Sequence, residues 1–277
     1  SGSLQLEDAL AQALEAGAGE AEGLDRLMTL QAEADHLIAR GQFEAVLVVA
    51  QQMLDLATQE GDEGLLAYAR FWFGFVYNIM GRPLEAEGHF NWIVARQRPG
   101  KWTKLRAAVG YDVAAHALTF SGINQWLLGY PEQALSLSTR AVDLALEMGD
   151  LYGQAFASAC GSTTLFLLRS DSAALQARSE LCQRVCEEHG FAWWGYFSEV
   201  FLGWLAVMRG EDLAGIERMQ RAMAAWQSTG MFVGTDALVV TLADGCLTTA
   251  NRYSEGGNAE RGRLLAIGLA AVERWIG

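Results

Sequence analysis

A helix stop followed at once by a helix start recurs along this chain, and it limits the possible folds more than any other feature. The clearest copy lies in the stretch 122–150, where Gly129 suits the left-handed position that closes one helix. Pro131 suits the first turn of the next helix, where a missing backbone donor costs nothing. Apolar residues then return at helical intervals, with charged residues on the opposite side. The stretch is therefore predicted to form two amphipathic helices joined by a tight turn.

Similar turns occur elsewhere along the sequence. Each has a helix stop, a few polar residues and then a small residue, as in ARGQFEA (39–45), MGRPLEA (80–86), LRSDSAA (168–174), MRGEDLAG (208–215) and GGNAERG (256–262). Small residues often stand seven places before the turn glycine and five places after it, as in Gly203, Gly210 and Gly215. This spacing predicts that the two helices of a pair approach each other closely.

The turns repeat about every 40 residues, a length typical of stacked helix pairs. A chain of 277 residues that is 51% hydrophobic and has three prolines can bury a large core and contains few helix breakers. We therefore predict an all-α fold, an α-solenoid of about six antiparallel helix pairs. The predicted pairs are 24–40/42–60, 63–80/83–96, 105–128/131–148, 151–168/171–189, 191–209/212–229 and 231–252/258–276.

The two ends of the chain carry separate expectations. Residues 1–3 are typical of a cloning remnant, and residues 4–23 are predicted to form an N-terminal helix and a glycine-rich connector. The repeat array is predicted to span 24–277. Because the final helix has an apolar stripe and no polar cap, we expect the array to be truncated here and to continue in the full protein.

Charge and cysteine content narrow the classes of partner. A formal charge of −13 repels nucleic-acid phosphate and anionic membranes, so neither is expected to bind the bulk surface. No apolar run reaches transmembrane length, and no signal segment opens the sequence. Cys182 and Cys186 share a helix face, but no second ligand pair has metal-site spacing. Buried structural cysteines in a reducing cytoplasm are predicted, with no metal and no cofactor.

One basic cluster interrupts the acidic surface. It lies around Trp102 and comprises Arg96, Arg98, Lys101, Lys104 and Arg106. Such a cluster is suited to contact a phosphate or an acidic neighbouring domain. A solvated loop between helices is the interpretation we favour, because charge clusters at helix ends usually face water.

Two sets of residues carry a family resemblance. The framework Gly74/Gly81/Ala86, repeated as Gly122/Gly129/Ala134 and Gly203/Gly210/Gly215, is similar to the tetratricopeptide repeat. A likeness to the C-terminal repeat region of large bacterial predicted ATPases is carried by further segments, which resemble that region in QWLLGYPEQAL, in AVDLALEMGD and in the later stretch 187–230. In those proteins a class III nucleotide cyclase, a kinase or a DNA-binding regulator domain precedes a signal-transduction NTPase module. The resemblance covers about residues 24–276.

The resemblance implies a TPR-like right-handed superhelix that senses a partner or ligand, or holds the ATPase inactive. The active parts of those proteins are missing from this sequence. No GxxxxGK[ST] motif is present: around Gly100-Lys101, Ala95 stands where the motif needs its first glycine and Trp102 where it needs serine or threonine. We also find no paired-aspartate cyclase signature. We therefore expect the chain to bind and not to catalyse.

In such an array the first helix of each pair lines the concave face. Helical steps from the small residues select a set of aromatic and hydrogen-bonding side chains: Tyr68, Phe71, Phe75, Asn78, Asp112, His116, Thr119, Trp126, Phe156, Thr163, Trp193, Phe197 and Trp204. They would form a groove for a peptide or protein, including the parent's own NTPase or effector domain. The alternative is that these aromatics form the core between repeats. Of the adjacent Trp193 and Trp194, at least one is expected to be exposed.

Two further functions stay open at this point. The same groove would serve a small-molecule receptor for a metabolite or sugar, which predicts an enclosed cavity among Trp126, Phe156 and Trp193. An enzyme would be built on Asp112 and His116, whose i,i+4 spacing suits a carboxylate–imidazole pair. A structural ion pair or hydrogen bond is favoured there, because the spacing supplies no nucleophile or metal. The remaining histidines, His36, His89 and His189, are predicted to have surface or core roles.

Overall fold

The computed structural model describes residues 22–98, 100–168, 171–230, 233–253 and 258–276. Within these ranges the chain forms helices and turns and no strand, which confirms the all-α prediction. The helices are α1 (residues 22–39), α2 (Phe43–Glu60), α3 (Glu63–Ile79), α4 (Pro83–Arg96), α5 (Thr103–Val109), α6 (Val113–Leu127), α7 (Pro131–Glu147), α8 (Leu151–Leu168), α9 (Ser172–His189), α10 (Ala192–Met208), α11 (Asp212–Ser228), α12 (Thr235–Arg252) and α13 (Asn258–Ile276). None of the described helices combines the length and apolar character needed to cross a bilayer.

The turns form as their local sequence predicts. Gly129 and Gly210 adopt left-handed backbone angles, with φ of 88° and 90°. Pro83 and Pro131 occupy the first turns of α4 and α7. Where no glycine stands before α9, the Asp171 carboxylate caps the helix and accepts a hydrogen bond from the Ala174 N–H at 2.9 Å.

One predicted helix boundary is wrong. The helix predicted over 105–128 is divided into α5 and α6, because Gly110 adopts a φ of 84° and closes α5. Asp112 therefore stands immediately before α6 and outside it. The predicted start of a helix at 231 falls on residues outside the described ranges, and α12 begins at Thr235 after the left-handed Gly234.

The chain folds into two compact units, with the boundary between Val113 and Ala114. In the first unit α3 packs between α2 and α4, and α5 touches α3. Its core is built from large side chains that are fully covered, among them Met53, Tyr68, Phe90 and Ile93. The described part of this unit is a small helical domain with its own apolar centre.

In the second unit consecutive helices pack against each other in pairs. The pairs α8–α9, α10–α11 and α12–α13 each pack closely, and α10 also packs against both α8 and α12. The first helices of these three pairs thus form one layer. α8 is buried continuously from Gly153 to Phe166, and most of α10 is buried as well.

The helices of a pair come into near backbone contact at the predicted small residues. A Cβ added at Gly203 would lie 2.9 Å from the Gly215 carbonyl oxygen, and one at Gly215 would lie 2.6 Å from the Gly203 carbonyl oxygen. In the α6–α7 pair a Cβ at Gly122 would lie 3.1 Å from the Ala134 carbonyl oxygen. In both pairs the contact joins the residue seven places before the turn glycine to the residue five places after it, across two antiparallel helices.

We predict opposite effects of one substitution at two equivalent repeat positions. Gly215 and Gly262 each stand five places after a turn glycine, at Gly210 and Gly257. Gly215→Ala forces its methyl group into the Gly203 backbone and should lower the free energy of unfolding by roughly 1–3 kcal/mol. An added Cβ at Gly262 meets nothing within 4 Å, so Gly262→Ala should raise it by about 0.5–1 kcal/mol through helix propensity. Chemical unfolding measures both values, and a shift of the same sign in both variants would contradict the close-contact interpretation.

Candidate functional site

The predicted site residues of the first unit lie mainly in its core. Tyr68 is fully buried, and its hydroxyl accepts a hydrogen bond from the Tyr111 hydroxyl at 3.3 Å. Burial raises the pKa of Tyr68 above its usual value. The rings of Phe71 and Phe75 are stacked, with centroids 5.8 Å apart. Phe71 and Asn78 are buried, and Phe75 is half-buried.

His116 lies inside an aromatic stack in the second unit. Its ring is parallel to that of Phe156 at 3.9 Å and to that of Tyr152 at 5.8 Å. The other side of Phe156 receives the edge of Trp194, at 5.2 Å. Protein rings therefore fill the space around Phe156, where the receptor hypothesis predicts part of a cavity.

Contrary to the sequence-based expectation, Asp112 and His116 do not lie on one helix. Asp112 precedes α6 and belongs to the first compact unit, whereas His116 lies on α6 in the second. Both side chains are buried. Thr119, on the next turn of α6, is also buried, and its hydroxyl donates to the Ala115 carbonyl oxygen at 2.9 Å.

The other predicted residues differ in exposure. Thr163, Phe197 and Trp204 are buried, and the Trp204 indole N–H donates to the Asp244 carboxylate at 2.7 Å. Trp126 is half-buried. Trp193 is 37% exposed while Trp194 is 7% exposed, which confirms the prediction made for this adjacent pair.

Trp193 belongs to a column of accessible side chains at one repeat position. It stands ten places before Gly203, as Tyr152 does before Ser162 and Val240 before Ala250. Tyr152 is half-buried and Val240 is 51% exposed. These side chains lie on α8, α10 and α12, the helices that form one layer. We call them the first-helix column.

The two cysteines of α9 form a buried thiol pair, as the sequence predicts. The sulfur atoms of Cys182 and Cys186 are 3.8 Å apart. Their mutual hydrogen bond is the main cause of two opposite shifts, since it raises the pKa of Cys182 and lowers that of Cys186. Among the described residues, no group of three or more histidine, cysteine or acidic side chains is arranged to hold a metal ion.

A second cluster, which the sequence reasoning missed, lies between α3 and α4. Guanidinium groups contact aromatic rings at its two ends, and rings contact each other between them. We call it the cation–π ladder: Arg70, Phe73 and Tyr77 on α3, Arg82 in the turn, and His89, Trp92 and Arg96 on α4. Arg70 lies 4.9 Å and Arg96 lies 4.3 Å from the centroid of the Trp92 ring. Arg82 lies 4.7 Å from that of Tyr77. The spacing i, i+3, i+7 on both helices is the signal that would have revealed it.

The charges of the ladder are unevenly compensated. Arg82 pairs with Glu85 at 3.0 Å, and Arg96 lies 3.9 Å from Glu63. Arg70 has no carboxylate within salt-bridge distance among the described residues, and its buried Nε atom has no hydrogen-bond partner there. Burial, and then the charge of Arg96, lower the pKa of Arg70.

The basic loop after α4 differs from a freely solvated loop in one respect. Arg98, Lys101 and Lys104 are exposed, in agreement with the sequence prediction. Lys101, however, pairs with Glu63 at 2.9 Å, and Trp102 is buried. The loop is thereby tied to the start of α3, next to the ladder.

Comparison with protein-family models finds no match to this sequence, and comparison with curated proteins finds none either. Function must therefore be argued from the geometry of the first-helix column and of the ladder.

We predict that His89 makes the fold sensitive to mild acid. Burial and the nearby Arg70 lower the pKa of His89 from 6.5 to about 4, so the unfolded chain takes up this proton first. Stability is then lost as pH falls from 6.5 towards 4. Between about pH 7 and pH 5 the wild type should lose roughly 1–2 kcal/mol more than His89→Gln.

Chemical unfolding of both proteins across this pH range isolates the His89 contribution, because every other titrating side chain is common to the two. Parallel stability curves for the wild type and the variant would contradict the prediction.

Proposed function

We propose that this chain is a non-catalytic interaction and sensing module of a bacterial multidomain signal-transduction ATPase, located in the cytoplasm. Its proposed architecture is a TPR-like right-handed superhelix of about six antiparallel helix pairs. Three features support this proposal: the recurring close contacts within helix pairs, the packing of α10 against α8 and α12, and the sequence resemblance. Such arrays bind extended guests along the layer of first helices.

The first-helix column is the observation that carries the proposal. Tyr152, Trp193 and Val240 keep apolar surface accessible at one register of three helices in the same layer. The Trp193 ring lies against the buried Trp194, with centroids 6.4 Å apart. Tryptophan is among the residues that contribute most to protein–protein binding.

The proposed guest is a peptide or a protein segment, including one from the parent's own NTPase or effector domain. An apolar column on helices suits the apolar side chains of such a segment. The formal charge of −13 disfavours nucleic acid and membrane as partners. Binding to the column would report the presence of the partner to the rest of the parent protein.

The packing gives no observation in favour of the other two candidates. The rings around Phe156 occupy the space that a metabolite would need. An open depression of about 400 Å³ lies between α1 and α2, and none of the predicted site residues lines it. His116 is buried and stacks on Phe156 and Tyr152.

Selection of peptides from a random phage-displayed library on the immobilised chain tests this proposal. We expect enriched peptides rich in apolar residues, whose synthetic forms bind at least about tenfold more weakly to Trp193→Ala than to the wild type. Val48→Ala is the matched control, because Val48 is an exposed apolar residue of α2, outside the column. Circular dichroism checks that both variants fold.

Two outcomes would overturn the proposal. One is the absence of enriched peptides over a control protein. The other is enriched peptides that bind the Trp193→Ala and Val48→Ala variants with equal affinity.

A further inference from the structure

We propose that the cation–π ladder binds a short acidic segment of a protein partner, with Arg70 and Arg96 holding carboxylates at one end and Arg82 at the other. This surface lies on α3 and α4 in the first compact unit, so the inference goes beyond the function proposed for the first-helix column.

Arg70 carries an unbalanced charge. Its side chain is partly buried, and the like charge of Arg96 acts on it. Its Nε–H group is buried and has no acceptor among the described residues. A partly buried cation next to a second cation is electrostatically unfavourable, and an incoming carboxylate that pairs with the terminal N–H groups of Arg70 would relieve this repulsion.

Trp92 imposes an orientation on two arginine side chains. Arg70 and Arg96 both lie within 5 Å of the centre of this ring, at 4.9 and 4.3 Å. An arginine that stacks on an aromatic ring still presents the N–H groups along its planar edge, and these match the two oxygens of a carboxylate. Trp92 therefore orients two guanidinium groups at this end of the ladder.

The length of the ladder exceeds that of a single small anion. Arg82 stacks on Tyr77, which stands seven residues after Arg70 on α3. Seven residues of α-helix correspond to about 10 Å, the length of roughly three residues of extended peptide. A single carboxylate or phosphate cannot contact both ends, whereas an extended segment with acidic side chains can. Glu85 already pairs with Arg82, and a partner carboxylate would use the remaining N–H groups of that guanidinium.

The ladder suits an acidic peptide better than it suits nucleic acid. The chain as a whole is strongly negative, but at physiological salt a charge acts over only about 8 Å. A short acidic peptide therefore responds to the charges of the ladder and not to the net charge of the whole chain. The guanidinium groups over Trp92 and Tyr77 also occupy ring faces on which a base would have to stack.

Calorimetric titration of the whole chain with capped octaglutamate tests the inference. We expect binding that weakens as salt rises and that becomes at least about tenfold weaker in Arg70→Gln/Arg96→Gln. Arg140→Gln is the control for loss of an arginine outside the ladder, since Arg140 is exposed on α7 in the second unit, and it should bind octaglutamate like the wild type.

A second variant protects the test against loss of folding. Arg82 is exposed, so Arg82→Gln should remain folded by circular dichroism. It should weaken binding of octaglutamate and leave binding of diglutamate unchanged, because only the longer peptide spans the ladder. Trp193→Ala should bind octaglutamate normally, so failure of the column proposal and failure of this one are distinguishable.

Several results would overturn the inference. The first is no binding of octaglutamate up to millimolar concentration. The second is equal binding of octaglutamate by Arg70→Gln/Arg96→Gln and by Arg140→Gln. The third is unchanged binding of octaglutamate by Arg82→Gln. Diglutamate or inorganic phosphate that binds as tightly as octaglutamate would indicate a small-anion site instead. Single-stranded oligothymidylate of the same length that binds more tightly, and is lost in the same variants, would indicate nucleic acid.

Discussion

The close approach of the two helices in a pair is the constraint on which the rest of this structure depends. At Gly203 and Gly215 the backbones are so near that neither position has room for a methyl group. Large side chains of α10 pack against α11 beside this contact, where Trp194 and Phe197 meet Trp226. They also reach the neighbouring first helices, since Trp194 lies against Phe156 of α8 and the Trp204 indole N–H donates to Asp244 of α12.

Where glycine is absent from the close contact, small hydroxyl side chains take its place. In the α8–α9 pair the hydroxyl oxygens of Ser162 and Ser179 lie 3.4 Å apart, both fully buried. Arg178 extends from α9 to the Ser138 hydroxyl at 2.6 Å and to the Gly161 carbonyl oxygen at 3.4 Å. This arginine ties α7, α8 and α9 together, so a polar bridge replaces part of the apolar packing at this pair.

Local chemistry made much of the fold predictable. Glycine closes a helix and proline opens one through backbone preferences that need no tertiary context, so Gly129, Pro131 and Gly210 could be assigned from sequence. Gly110 could not, because sequence alone does not distinguish a left-handed glycine from one inside a helix such as Gly122.

Exposure at the candidate sites was harder to predict, since it depends on how neighbouring helices cover a face. Helical spacing from the small residues selected Phe156 and Phe197 as accessible, yet both are buried because α8 and α10 are covered on almost every side. The cation–π ladder escaped notice for a related reason. Its contacts depend on the register between α3 and α4, which places Arg70 beside Trp92, twenty-two positions later in the chain.

The close contacts differ in chemistry from one helix pair to the next, and this affects how the chain responds to a substitution. Glycines join α10 to α11, serines join α8 to α9, and the ring of Phe90 lies over Gly74 between α3 and α4. Because each contact is local to its pair, a defect in one weakens its nearest neighbours and leaves distant pairs intact. We expect the helix pairs to open locally with different free energies below that of global unfolding.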